Sequence, residues 1–244
     1  MKWIYRLYQL VIALPLLLIA TLLTSIVTIV GCMAGGGKWW GYYPSVVWSK
    51  LVCRLLLLSI HVEGREFIKR GQSYVFVANH QGAMDIFLMF GYLGHQFRWM
   101  MKRSLVSIPF VGYACRRAHH IFVDHRSPSA TAETIRAARF VLEQGMSLAV
   151  FPEGTRTRTG RIGKFHRGAF LLADELQIPI VPVTIDGSYE VLPRTHDIDF
   201  VHRHPLRLII HQPIEPEGQG REDINQRTQQ AYDIIRQSLP ERYR

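Results

Sequence analysis

Cysteine is scarce in this chain: 244 residues carry only Cys32, Cys53 and Cys115. Widely spaced and odd in number, they frame neither a disulfide scaffold nor a metal-ligand pattern, and a reducing compartment is the better fit. Acidic residues are also few. Nineteen Asp and Glu against 29 Lys and Arg leave a formal charge of +10, which calls for an anionic partner: a phospholipid surface, a phosphorylated substrate or nucleic acid. There is no recognisable nucleic-acid motif to take up the last of these. Histidines 119, 120, 125 and 166 show no ligand spacing, and His202-x-His204 alone is weak, so no metal is expected. A G-x-S-x-G elbow is missing, and Ser73 and Ser188 lie outside any such frame, which leaves no nominated covalent nucleophile. With no internal repeat and no low-complexity tract, the length suits one domain of ordinary size plus an N-terminal addition.

Charge is absent altogether between Arg6 and Lys38, and Leu10 to Val30 is almost wholly apolar. As a helix this run spans roughly 30 Å, about the hydrocarbon thickness of a bilayer. Trp3, Tyr5 and Tyr8 precede it, and Trp39, Trp40, Tyr42 and Tyr43 follow it, as interfacial aromatics do. Pro15 is expected to kink the helix without disqualifying it. Two readings compete: a cleaved signal peptide, since Ile29-Val30-Gly31-Cys32 resembles a lipoprotein cleavage box, and a buried core helix. The apolar run exceeds the usual h-region of about 7–15 residues, and its length and lack of charge speak against the core helix. A second apolar stretch, Val46 to Ile60, carries Lys50 and Arg54 on one helical face. It reads as an interfacial amphipathic helix or as the return arm of a hairpin. Basic residues on both sides favour both ends in the cytoplasm. A spanning hairpin and two helices resting in one leaflet satisfy those charges equally.

After Gly64 short apolar runs alternate with amphipathic segments. Expected strands are Tyr74–Ala78, Phe97–Met101, His120–Asp124, Leu148–Phe151, Ile180–Ile185 and Leu206–His211. Expected helices run from Ser127-Pro128, as N-cap and first residue, to about Gln144, from Gly168 to Leu176, and from about Arg221 to Leu239. The alternation predicts an α/β domain, a mostly parallel sheet flanked by helices. The chain thus divides into 1–63, membrane-anchoring helices, and 64–244, the domain proper.

Two strings carry chemistry. Asn79-His80-Gln81-Gly82-Ala83-Met84-Asp85 directly follows an expected strand, where α/β folds place reactive groups. Asp85 in the first helical turn can accept from one ring nitrogen of His80, fixing its tautomer and leaving the other nitrogen free to take a proton. Phe151-Pro152-Glu153-Gly154-Thr155-Arg156 also follows a strand. Gly154 permits a sharp turn there, and Arg156 offers a planar fork suited to a phosphate monoester. Lys102, after a third strand, can supply a second cation. Pro182 within Ile180-Val181-Pro182-Val183 implies an edge strand or an interrupted one, because proline donates nothing to a ladder. Taken singly, each string is better explained by a structural role.

Taken together and in this order, His-x4-Asp, F-P-E-G-T-R and I-V-P-V resemble the glycerophospholipid acyltransferases, above all the 1-acyl-sn-glycerol-3-phosphate (lysophosphatidic acid) acyltransferase family, over about Ser73 to Gly187. That resemblance implies His80 as catalytic base with Asp85 as its partner. It implies a phosphate site at Lys102 and Arg156, an acceptor site including Glu153, Gly154 and Thr155, and an acyl region shaped by Pro182. It further implies direct acyl transfer from acyl carrier protein or coenzyme A to a lysophospholipid, with no cofactor or metal, at the cytoplasmic membrane. Another lysolipid, such as a lyso-ornithine lipid or lysophosphatidylglycerol, is an alternative acceptor, and a non-catalytic lipid-binding protein is the alternative of another class. Two departures stand out. Phe122-Val123-Asp124-His125-Arg126 holds His where the family often has Arg, and Phe165-His166-Arg167-Gly168 holds His where Lys is common.

Overall fold

The computed structural model describes residues 2–124, 127–195 and 199–244. A single long helix opens the chain. α1 (Lys2–Tyr8) passes through a π-helical turn (Gln9–Ala13) into α2 (Leu14–Met33). Pro15 sits at the start of α2, and the widened turn immediately before it, closed by Leu14 N–H to Gln9 O, accommodates the ring. The expected kink is thus a local widening in one 32-residue helix.

The helix is amphipathic in an unusual sense. Gln9, Ala13, Ser25, Thr28 and Gly31 are buried, and all lie on the face turned to the rest of the protein. Leu10, Val11, Leu14, Leu18, Ile19, Leu22, Leu23, Ile26 and Val30 are exposed. Small and polar residues therefore face the protein and large apolar residues face outward, the reverse of a soluble amphipathic helix. α3 (Gly37–Trp40) turns the chain back, and α4 (Tyr43–Leu55) returns along α2, where Trp48 Nε1–H donates to Thr21 Oγ1 at 3.0 Å.

The seven-stranded sheet contains β1 (Ile60–Glu63), β2 (Val75–Ala78), β3 (Phe97–Lys102), β4 (Ile121–Val123), β5 (Ser147–Val150), β6 (Ile180–Asp186) and β7 (Leu206–Ile210). Its order is β1-β7-β6-β2-β5-β3-β4. The five strands from β6 to β4 are parallel, β7 is antiparallel to β6, and β1 runs parallel to β7. Six strands lie where the sequence pattern puts them. β1 was hidden at the end of the apolar stretch Val46–Ile60 and begins before Gly64; its burial alternates over only four residues.

β2 is buried on both faces, as a central parallel strand must be. Phe76 and Ala78 point into a core shared with α4 and α5 (Met84–Tyr92), while Val75 and Val77 point into a second core. α6 (Val111–Arg117) packs on α2. α7 (Pro128–Glu143), α8 (Gly168–Glu175) and, after the single turn α9 (Ser188–Val191), α10 (Arg221–Ser238) complete the helices. At the start of α7 the Ser127 hydroxyl accepts from Ala130 N–H, the expected N-cap.

Pro182 corrects the expectation of an edge strand. β6 lies between β7 and β2, with Pro182 opposite Val77. On the β7 side, regular pairing covers Val183–Asp186 and resumes only as the bridge Ile180–Ile214. Pro182 falls in that gap, where only its carbonyl is engaged, by His211 N–H at 3.0 Å. The interruption is real, and it permits a proline in an interior strand.

Candidate active site

Because β3, β5, β2 and β6 run the same way, the segments leaving their carboxyl ends share one edge of the sheet. His80, the Phe151–Arg156 loop, Lys102 and the segment after Asp186 all emerge there.

Around His80, neighbouring side chains point alternately inward. Asn79 is fully buried, donating from Nδ2 to Ile185 O and accepting from Ile185 N–H, both at 2.8 Å, so β2 stays laced to β6 one residue beyond the strand. Gln81, also buried, donates to Gly160 O at 3.0 Å. His80 lies between them with its ring turned to the surface, 13% exposed. The ring packs flat on Phe151, with centroids 3.8 Å apart and planes 6° apart, and Phe151 in turn stacks on Trp99. His80 Nδ1 lies 2.7 Å from Asp85 Oδ2, which also accepts from Gly82 N–H at 2.9 Å. Asp85 is wholly buried in the first turn of α5, and its Oδ1 has no hydrogen-bond partner among the described residues. An ionised carboxylate in this place makes Nδ1 the donor and leaves Nε2 as the basic atom.

The second string grips the first. Glu153, 8% exposed, accepts through Oε1 from His80 N–H and through Oε2 from Gly163 N–H, each at 2.7 Å. Thr157 N–H donates to His80 O at 2.9 Å, so both main-chain groups of His80 are held by one loop. Burial raises the Glu153 carboxyl above its ordinary range, and the two amides partly offset this. Glu153 thus serves to hold loops together, each of its oxygens being engaged by a backbone amide. Gly154 takes φ 72, a conformation that other residues rarely adopt, and Gly154 N–H closes the turn on Phe151 O.

Thr155 is exposed and Arg156 half-buried. The Arg156 guanidinium has no hydrogen-bond partner or carboxylate among the described residues, and neither has the Lys102 ammonium at the exposed end of β3. Both cations lie at the same edge of the sheet, without contact to each other. Pro182 is buried in the sheet, opposite Val77 of the strand that leads to His80. Arg126 lies outside the described residues.

Sequence reasoning missed Arg194. It follows α9 beyond β6, and Nη1 donates to Thr155 Oγ1 at 2.6 Å and to Arg156 O at 3.2 Å. A third cation therefore braces the Thr155–Arg156 turn. No local pattern around Leu192-Pro193-Arg194 marks it; only the sheet order, with β6 and β5 flanking β2, brings it there.

A protein-family model described as Acyltransferase matches residues 59–186, just over half of the chain. Among curated proteins, the chain is 31% identical to the chloroplastic 1-acyl-sn-glycerol-3-phosphate acyltransferase of Arabidopsis thaliana, over 64% of this chain and 43% of that protein. It is 32% identical to the mouse 1-acyl-sn-glycerol-3-phosphate acyltransferase alpha, over 71% of this chain and 64% of that protein. The match therefore spans less than two thirds of either relative. Among solved structures, the 1-acyl-sn-glycerophosphate acyltransferase of Thermotoga maritima superposes with a TM-score of 0.65 at 25% identity, covering 90% of this chain and 93% of that one.

Proposed function

This chain belongs to the acyltransferase family, and on that premise we propose that it transfers a fatty acyl group from an acyl thioester to the sn-2 hydroxyl of 1-acyl-sn-glycerol-3-phosphate, giving phosphatidic acid. The observation that carries the reading is the His80–Asp85 pair at 2.7 Å, with Nε2 unpartnered among the described residues, beside a loop bearing Arg156. The acceptor hydroxyl attacks the thioester carbonyl while Nε2 takes its proton. Collapse of the tetrahedral intermediate forms the ester and expels the thiolate, which recovers the proton from the imidazolium. General-base help of this kind is worth roughly 10²–10⁴-fold in rate. Asp85 holds the tautomer and stabilises the imidazolium, while Glu153 and Thr157 fix the main chain beneath the ring. Arg156 and Lys102, with no competing carboxylate among the described residues, receive the dianionic phosphate of the acceptor. Acyl carrier protein and coenzyme A are the two donors this chemistry admits, and the positive surface suits the acidity of either.

The same reading places the protein on the inner face of the cytoplasmic membrane, with the outward apolar stripe of α1–α2 in lipid and the site facing the cytoplasm. The acceptor is then delivered laterally and the thioester from solution.

The test is acyl transfer by the detergent-purified chain to lysophosphatidate, with acyl-CoA and acyl carrier protein thioesters in parallel. His80→Ala should abolish turnover while membrane binding persists, and Arg156→Ala should raise KM for lysophosphatidate more than for lysophosphatidylglycerol. Unchanged turnover in His80→Ala would dismiss the mechanism; an Arg156→Ala enzyme with wild-type KM would dismiss the phosphate assignment.

A further inference from the structure

We propose that Arg103–Arg117, the segment from the end of β3 through α6, is a second bilayer-contact element whose apolar tip enters the hydrocarbon edge and whose arginines meet anionic phospholipid headgroups. The inference rests on the reading that the stripe of α1–α2 lies in lipid.

Four large side chains in this short segment face outward: Leu105 at 36% exposure, Ile108 at 43%, Phe110 at 57% and Tyr113 at 43%. They are displayed by a stiff turn. A 3-10 turn (Arg103–Ser107) leads to Pro109, and Val111 N–H then closes on Pro109 O at 2.6 Å around Phe110, which has φ 59 and ψ −51. A bulky residue rarely holds a positive φ, and such strain persists only where the surroundings impose it. Gly112 provides part of that constraint, since a Cβ there would lie 2.2 Å from Val106 O. The result is a rigid loop with an aromatic ring at its tip, an arrangement that costs stability in water.

Continuity with the membrane face says what covers the tip. α6 packs directly on α2, and Tyr113, Arg116, Arg117 and His119 line a cavity of about 350 Å³ together with Cys32, at the end of α2. Whatever depth α2 takes in a bilayer, this segment takes beside it. The charge is complementary as well. No acidic residue occurs between Asp85 and Asp124, while Arg116 and Arg117 do; Arg103 is paired with Asp124 at 3.1 Å, so the headgroup contact falls to Arg116 and Arg117. Arg117 is preorganised, donating to Tyr113 Oη through Nε and Nη2 with its guanidinium over the ring. An apolar tip flanked by cations and a tyrosine is the composition of an interfacial anchor.

The experiment uses the full chain in vesicles of equal parts phosphatidylglycerol and phosphatidylethanolamine. A nitroxide attached through Phe110→Cys, in a Cys32→Ala, Cys53→Ala, Cys115→Ala background, should collide more with oxygen than with an aqueous nickel chelate. One attached through Gln219→Cys, in the exposed loop before α10, should do the opposite. Equal aqueous exposure at the two sites overturns the proposal. In phosphatidylcholine alone the inserted fraction should drop about fivefold for each of Arg116 and Arg117; an identical fraction in both lipids overturns the headgroup contact. The unmodified chain provides a check free of substitutions: phosphatidylglycerol carrying a photoreactive acyl chain should label residues 105–113, and labelling confined to residues 2–33 overturns the insertion. None of these readouts needs acyl transfer, so their failure stands apart from failure of the enzymatic reading.

Discussion

The ring of His80 has a carboxylate at Nδ1, the face of Phe151 beneath it and an open Nε2. Two predictions follow from how its surroundings divide their work. Asp85→Asn keeps the size and can still accept from Gly82 N–H, but it removes the negative charge that stabilises the imidazolium. Turnover should fall by roughly 10²-fold or more with KM nearly unchanged, as for a contact that matters only in the transition state; steady-state kinetics would show it, and a matching fall in kcat/KM is required. Arg194 acts differently, through the turn that carries Arg156. Arg194→Ala removes two charge-assisted hydrogen bonds and should raise KM for the phosphorylated acceptor about tenfold with a smaller change in kcat. Arg194→Lys should recover only part, because an ammonium cannot span Thr155 Oγ1 and the Arg156 carbonyl as a fork does. At this scale the order of the motifs in the chain announced His80, Asp85 and Arg156. The grip of Glu153 on the His80 amide was not legible, since the two residues are 73 positions apart and meet only because β2 and β5 pair. The stacking of Phe151 under the ring was hidden for the same reason.

Elements were legible where burial imposes a period. β2 and β6 are rich in β-branched residues, β7 ends on two isoleucines, β3 carries two aromatics and β5 is a short apolar run, and all five were found within a residue or two of their ends. β1 escaped because four residues are too few to establish alternation beside a longer apolar stretch. The interior position of β6 escaped because a proline is normally read against an inner strand; here a break in the partner removes the need for its N–H. The joint between the helical hairpin and the sheet was also invisible. Arg98, in β3 and only 3% exposed, donates to the carbonyls of Gly37, Lys38 and Gly41 around α3, and burial lowers its pKa to about 10. No carboxylate accompanies it in these contacts; the charge is met by peptide dipoles at the end of a helical turn. Arg98→Met should therefore leave the Lys38 and Gly41 carbonyls without their guanidinium donor, Gly37 O keeping only Gly41 N–H, and cost more than about 2 kcal/mol. Urea unfolding would measure the loss, and faster proteolysis within residues 34–43 would locate it. An unchanged midpoint would mean that water replaces the guanidinium at no cost.

For the whole molecule, the decisive fact is where the domain touches its long helix. The Gln9 amide pairs with both main-chain groups of Val201 near one end, and α6 packs on α2, while Tyr5, Tyr8 and Thr21 bond the hairpin's own return arm through Leu56 O, Leu55 O and Trp48. The domain thus reaches the helix at its first turns, through Val201, and again through α6 on α2. A helix crossing a bilayer upright carries its two ends to opposite faces, and a charged domain cannot reach both without entering the hydrocarbon and losing the solvation of its polar surface. The sequence could not choose between a spanning hairpin and a one-leaflet anchor, because Lys2 and the basic domain satisfy the positive-inside tendency in both. Contacts along one face, with small and polar residues turned inward, favour the helix lying in the plane of one leaflet with its large apolar residues down. Lys2 and Lys38, near its two ends, then share a side of the membrane. Lys2→Cys and Lys38→Cys, each in a background lacking the native cysteines, should both react with a membrane-impermeant maleimide in inverted inner-membrane vesicles and both resist it in intact spheroplasts. A spanning helix would give opposite patterns at the two positions, and that result would require the domain to release either Gln9 or the α6 contact with α2.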